Sequence, residues 1–267
     1  MAAAGDVRVS SHRFFLQTPL PASGDRPAPL GLSPSDRRHL STVLRACEGD
    51  ELIVVEPGGD VWRMRVTTVA EDAVEASRLE RVDVPPPLRL TLIQGMAKSA
   101  KVDLVVEKAV ELNVEAVIPV LTERAVVRLD DERRKARGER LRRVAMAAAK
   151  QSQRASVPRV SDPIAFDEVV QSLDSFDATL VLWEGSAVTA PGIGEALDEL
   201  GVTSTSKVAL VVGPEGGLSA EEVYALESAG ARAVTLGETI LRSETAGIAA
   251  TALCIYELGG LGGRRRG

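Results

Sequence analysis

The last quarter of the chain restricts its architecture most. The apolar run Lys207 to Val212 (KVALVV) stops at Gly213-Pro214-Glu215-Gly216-Gly217. Proline has no N–H for a ladder, and glycine permits positive φ. Ser219 followed by Glu222 has the spacing of a capping box, so a helix is predicted to start there. Ala231 to Leu236 (ARAVTL) reads as a second strand, Gly237 to Arg242 as a second turn, and Ser243 as the N-cap of a helix over 244–258. Strand, turn and helix repeated in this order need crossover connections, which join parallel strands. Either turn alone is an ordinary strand–helix connection. The pair points to one small-molecule site made of backbone at strand ends.

The ligand is not expected to be ATP or NAD. A Walker loop ends in Gly-Lys-Ser/Thr, which sets a cation on the phosphates, whereas Gly217 is followed by Leu218. No GxGxxG follows a first strand either. A cofactor of less anionic character fits better.

Upstream, strands and helices alternate in the pattern of an α/β domain. Strands are predicted over 89–94, 115–121 and 178–183. Helices are predicted over 99–112, with Val102, Val105, Val106, Ala109 and Leu112 on one face, over 132–153, and over 191–199. Before Pro85-Pro86-Pro87, a stiff connector, the chain reads as a small β-rich unit. Its strand candidates are 50–56, 61–69 and 73–82, with a hairpin turn at Gly58-Gly59 and a short helix opened by Ser33-Pro34-Ser35 that carries His39 and Arg45. The predicted domains are therefore 1–84 and 88–267. The C-terminal Gly-Gly-Arg-Arg-Arg-Gly reads as a frayed tail.

Composition excludes several classes. No apolar run reaches the roughly 18 residues of a membrane span, and residues 1–11 lack the pattern of a signal peptide. Cys47 and Cys254 are the only cysteines and lie far apart, so neither a disulfide framework nor a zinc site is expected. Two buried, reduced thiols in a cytoplasmic protein are the expectation. The net charge of −6 argues against a polyanion partner until its distribution is considered. Arg133, Arg134, Lys135, Arg137, Arg140, Arg142, Arg143, Lys150 and Arg154 fall within one short segment, against the single acid Glu139. Such a stripe is either a solvated helix face or a phosphate-binding one. Trp62 and Trp183 are read as core residues.

The two turns, Gly-Pro-Glu-Gly-Gly-Leu (213–218) and Leu-Gly-Glu-Thr-Ile-Leu-Arg-Ser-Glu-Thr-Ala (236–246), resemble the "GPEGG(L/F)" and "LGxxILRxETA" motifs of the 16S rRNA uracil-N3 methyltransferase family of the SPOUT superfamily. The resemblance runs along nearly the whole chain. It includes Arg13-Phe14-Phe15, Arg38-His39-Leu40 with Val43-Leu44-Arg45 and Gly49-Asp50, Lys98 with Asp103-Leu104, Glu107-Lys108-Ala109 and Glu111-Leu112, Thr122-Glu123-Arg124, and Gln151-Ser152 with Arg154 and Pro158. Two positions depart from the pattern. Lys150 stands where a glutamate is usual, and Asn113 where glycine is common, which asparagine can satisfy because it tolerates the left-handed conformation.

The resemblance implies a PUA-like RNA-binding barrel followed by a knotted α/β methyltransferase domain that works as a homodimer. It implies S-adenosyl-L-methionine as cofactor, a uridine of 16S rRNA or the small ribosomal subunit as substrate, and neither metal nor membrane. The cofactor is expected between Gly213, Glu215 and Gly217 on one side and Leu236, Gly237, Glu238, Thr239, Ile240 and Leu241 on the other, with Leu182 as a third wall. Arg242 is the candidate for stabilising charge on the uracil oxygens. Glu244 is the candidate proton acceptor, with helix capping as its plainer reading. Arg13, His39, Arg45, Lys98, Lys101, Arg140, Arg143 and Arg154 are candidate RNA contacts. A ribose 2′-O-methyltransferase, a non-catalytic rRNA-binding assembly factor and a generic nucleotide-binding α/β protein remain as alternatives. Intact turns speak against the second and the basic segment against the third.

Overall fold

A computed structural model describes residues 9–21, 26–70, 72–84, 86–97, 99–125, 129–186 and 190–263. Lys98 and the tail arginines at 264–266 lie outside the described residues. The chain forms two compact units. One is Met1–Pro86 with Ala149–Ser156; the other is Pro87–Ala148 with Val157–Gly267. The sequence reading kept 132–153 wholly in the second unit, with a single break at the prolines. The structure instead assigns the stretch after Ala148 to the first unit.

In the first unit, β1 (Val9–Phe15), β2 (Ala28–Pro29), β3 (Glu51–Val55), β4 (Val61–Val69) and β5 (Val74–Arg81) form a sheet in the order β1-β3-β4-β5-β2. β3 and β4 form the hairpin around Gly58-Gly59, and Gly59 takes a φ of +91°. Strand alternation puts Phe14, Leu52, Val54, Met64, Val66, Val74 and Ala76 into one core with Leu16, Leu20, Leu30, Leu32 and Leu40. Ser33 caps α1 (Pro34–Arg38) by accepting from the Asp36 N–H. His39 and Arg45, expected on this helix, both lie beyond its end at Arg38. His39–Val43 is a π-type turn, and Arg45 follows it with a φ of +49°. Lys150 donates to both oxygens of the mostly buried Asp36, at 2.7 and 2.9 Å.

The second unit holds a parallel sheet of seven strands. These are β6 (Leu90–Gly95), β7 (Ala116–Leu121), β8 (Arg159–Val160), β9 (Ile164–Ala165), β10 (Ala178–Leu182), β11 (Val208–Val212) and β12 (Arg232–Val234). They run in the order β12-β10-β11-β6-β7-β8, with β9 also pairing with β7. The helices are α2 (Ser99–Glu111), α3 (Asp131–Gln151), α4 (Phe166–Ser172), α5 (Ile193–Glu199), α6 (Ala220–Ser228) and α7 (Ser243–Glu257). β6 and β11 are buried along their whole length, as central strands covered on both faces must be. Ile93, Val181, Ala209 and Val211 pack under α4 and α6 with Val169, Val223 and Leu226, while α7 packs against α2 and α5. Asn113 ends α2 in the left-handed region, at a φ of +70°.

β12 lies at the sheet edge, yet α7 packs over β11 and β6 in the middle. Residues 235–242 must therefore run back across the C-terminal ends of β10 and β11. Gln94 and Ser243 fasten that crossing. Ser243 Oγ donates to the Gly213 carbonyl at 2.6 Å, and Gln94 Nε2 donates to the same carbonyl at 3.2 Å and to Ser243 Oγ at 3.3 Å. Ser243 was expected to be the N-cap of α7. The cap position belongs to Arg242, in extended geometry and without a side-chain cap, because the Ser243 hydroxyl is used by Gly213.

Candidate active site

The two glycine turns meet at the C-terminal edge of the second sheet. The first is shaped by its own backbone. Gly217 takes a φ of +70°, and a Cβ on Gly213 would lie 3.0 Å from the Gly217 carbonyl carbon and the Leu218 nitrogen. Gly213 is thus required by closure of its own loop rather than by approach to a ligand. Gly95 has the same role from β6, since a Cβ there would stand 2.4 Å from the Pro214 nitrogen. The capping box forms as the spacing predicts, with the Ser219 hydroxyl accepting from the Glu222 N–H. The Glu222 carboxylate accepts from the Ser219 and Glu123 N–H groups. Arg124 donates to the carbonyls of Gly216 and Leu218. In the second turn Gly237 takes a φ of +102°, and its N–H donates to Thr235 Oγ1 at 3.0 Å.

Between the turns lies a cavity of about 370 Å³, within the roughly 300–1,000 Å³ of small-molecule sites. Leu182, Gly213, Glu215, Gly217, Leu236, Gly237, Glu238, Thr239, Ile240, Leu241 and Arg242 all line it. Several lining residues were not anticipated in this role. Trp183, read as core, and Glu184 follow β10, and Lys101, read as an RNA contact, reaches in from α2. Gln94 was also missed, although a lone amide ending the apolar run Leu90-Thr91-Leu92-Ile93 was a visible signal.

The charges are arranged around Lys101. Its ammonium lies 3.2 Å from Glu244 Oε2 and 3.3 Å from Glu215 Oε1. These contacts, Glu244 first, hold the ammonium above its ordinary pKa, with partial burial opposing. The Glu244 carboxyl is held below the usual range, foremost by its own backbone N–H at the start of α7 and then by Lys101, with the charge of Arg242 adding. Glu244 does not line the cavity itself. Arg242 is exposed on the cavity wall, and no ion pair engages it among the described residues.

The candidate RNA contacts differ in exposure and pairing. Arg143 is exposed on α3, and Arg140 is ion-paired to Asp103 at 2.6 Å. Arg154 is only 6% exposed, and burial lowers its guanidinium to about 10. It lies past the end of α3 inside the first unit, so its expected part in an exposed basic stripe is corrected. Arg13 and His39 are half-buried in the first unit, and burial also lowers Arg13. Cys254 is buried, its thiol pushed up to about 12, but Cys47 is exposed, contrary to the expectation of two buried thiols. Trp62 packs under the Arg78 guanidinium at 4.7 Å and donates to Glu56. Among the described residues no group of three or more metal-ligating side chains forms, and no helix is long and apolar enough to cross a membrane.

Residues 84–255 match the family described as an RNA methyltransferase domain. The chain is 30% identical over 247 residues to the ribosomal RNA small subunit methyltransferase E of Bacillus subtilis, covering 92% of this chain and 96% of that one. The chain belongs to the ribosomal RNA small subunit methyltransferase E family. A second member, from Mycobacterium bovis, is 34% identical over 220 residues and 80% of each chain. The crystal structure of the Neisseria gonorrhoeae member, bound to S-adenosyl methionine, superposes with a TM-score of 0.77 at 31% identity, covering 91% of this chain and 95% of that one. A mixed α/β methyltransferase architecture is therefore common to this chain and its relatives.

Proposed function

We propose that this protein methylates N3 of a uridine in 16S rRNA, with S-adenosyl-L-methionine bound in the cavity between the two glycine turns. The observation that carries the reading is that cavity: backbone groups of 213–217 and 235–241 surround it, Arg242 stands free on its wall, and the whole lies at the carboxyl ends of parallel strands, where α/β folds bind ligands. The fit to the cofactor is supported by its lining. Backbone amides and carbonyls suit an adenine edge, apolar Leu182, Leu218 and Ala246 suit its ring, and no cation row awaits a polyphosphate. When bound, S-adenosylmethionine supplies an electrophilic methyl group on a sulfonium.

The chain's own residues must then meet the demands of uracil. N3 carries a proton and is not nucleophilic at neutral pH, so removing that proton places negative charge on O2 and O4. Arg242 presents a planar array of donors to those oxygens. Glu244, set back from the cavity lining and with its carboxyl pKa lowered, is a poor proton acceptor; it fixes Lys101 and the start of α7 instead. Glu215, on the cavity wall, is better placed to take the N3 proton. The first unit acts as a PUA-like RNA-binding domain, and the crossing of 235–242 tied to Gly213 is the trefoil knot that the family resemblance implies. A homodimer completes each site.

The experiment is nucleoside mass spectrometry of 16S rRNA from cells with and without the protein. 3-Methyluridine that disappears in the deletion and returns with the wild-type gene supports the reading. Loss of a 2′-O-methylnucleoside instead would replace it.

A further inference from the structure

A second cavity, of about 320 Å³, opens at the same edge of the second sheet. Its floor is Met96 and Ala97, directly after β6, and Leu129 adds an apolar wall. From α3, Arg133, Arg137 and Arg140 line it together with Ala136. The arginines' spacing of four and three residues stacks them on successive turns. The other cations of the helix, Lys135 among them, point elsewhere.

These guanidiniums are held in place. Arg140 donates through both Nε and an amino group to Asp103 Oδ2, at 2.9 and 2.6 Å, and Arg137 lies 3.2 Å from Oδ1 of the same carboxylate. Arg133 is bonded to Asp130, its side chain at 3.5 Å. A guanidinium has five N–H donors, so an aspartate on one edge leaves the others directed away from it. Arg137 is 10% exposed, and burial lowers its pKa. Three arginines against Asp103 and Asp130 leave one net positive charge, which equals the single negative charge of a phosphodiester.

We propose that this cavity is a phosphate subsite that takes one phosphodiester of the RNA chain beside the nucleotide presented to the methyl-transfer cavity. The assignment rests on the RNA-methylating function proposed above. Asp103 is a positioning residue that aligns two arginines before RNA arrives, so less ordering is needed on binding. The subsite singles out Arg133, Arg137 and Arg140 from a basic segment that otherwise reads as an undivided stripe.

Two measurements on the full-length protein test it. In the first, binding of an unmodified 16S rRNA transcript is titrated across salt concentrations. Arg133→Gln and Arg140→Gln should each weaken binding about tenfold and reduce the magnitude of the log–log salt slope by about 1. Lys135→Gln, on the same helix but outside the cavity, should cost less than about twofold. Equal losses for all three variants, or none for any, overturn the subsite. In the second, the arginine Nε–H resonances are followed by NMR during titration with uridine 3′-monophosphate or uridine. Arg137 should respond saturably to the monophosphate alone, and Arg133→Gln should weaken that response. If the wild type ignores the transcript while Arg137 responds to the monophosphate, the RNA substrate falls and the phosphate site stands. If the transcript binds while the cavity arginines stay silent to the monophosphate, the subsite alone falls.

Discussion

The two cavities at the edge of the second sheet use different materials. The larger is walled by backbone: glycine turns whose φ values and close contacts leave room for no side chain at Gly213 or Gly95. The smaller is walled by three long cationic side chains, Arg137 and Arg140 held by Asp103 and Arg133 paired with Asp130. A backbone-walled site is rigid and tolerates little change in chain geometry. A side-chain site is electrostatic, graded and sensitive to salt. The difference matches the proposed division of labour, in which one cavity fixes a small cofactor and a reacting atom while the other holds one phosphodiester of the RNA.

Arg242 gives the largest expected effect, because it is the side chain proposed to carry the charge that develops on the uracil oxygens. Arg242→Ala should lower the single-turnover rate at saturating cofactor and RNA by about 10²–10³, the scale of one lost charge-stabilising donor. Arg242→Lys should recover little of it. A normal rate with weakened RNA affinity would make Arg242 a phosphate anchor and erase the contrast between the cavities.

Gly95→Ala tests the backbone wall directly. The new methyl group would meet the Pro214 nitrogen at 2.4 Å, so the 213–217 turn must shift, at a cost of about 1–3 kcal/mol. Thermal unfolding should show the loss, and calorimetry should show weaker S-adenosylmethionine binding. Unchanged affinity would mean that the turn does not shape the cofactor site.

A smaller effect is expected at Glu222, whose carboxylate closes the capping box and accepts from Glu123. Glu222→Ala should cost about 1 kcal/mol in thermal or chemical unfolding and leave RNA affinity untouched, since the second cavity shares none of these bonds. A drop in RNA affinity equal to that of Arg133→Gln would show that the two cavities are not independent.

The smallest effect is a pH dependence. Glu244 beside the first cavity and Glu51, paired with Arg65 and Arg63 in the first unit, both have carboxyl pKa values lowered by folding. Such groups stabilise the fold above their unfolded value and lose that contribution as pH falls through the lowered folded value. Acid titration from just above the ordinary glutamate range downward should therefore erode stability, by less than about 1 kcal/mol for each partly solvated pair. Glu244→Gln and Glu51→Gln should each flatten part of that curve, and a curve steepened by either variant would reverse the sign assigned here.

Sequence alone determined most of the strands and helices, though not β1, β2, β8, β9 or α4, and the walls of the larger cavity. Proline and glycine interrupt a strand wherever they occur, the Ser219–Glu222 spacing caps a helix locally, and an apolar period of two or near four is a property of the segment itself. The walls at 213–217 and 236–241 were legible because their chemistry is backbone chemistry, fixed by which residues permit the turn. Tertiary structure decided the rest. Lys101 and Trp183 reach the cavity, and Gln94 and Arg124 reach the turn that walls it, from separate elements, and no local pattern states which strand ends become neighbours. Ser243 left its expected cap because the Gly213 carbonyl, distant in sequence, came within reach. The basic segment divided only on folding: Arg154 was buried, Lys150 was taken by Asp36, and Arg133, Arg137 and Arg140 were turned onto one cavity. Charge is written in the sequence, but the direction a side chain faces is set by what its helix packs against.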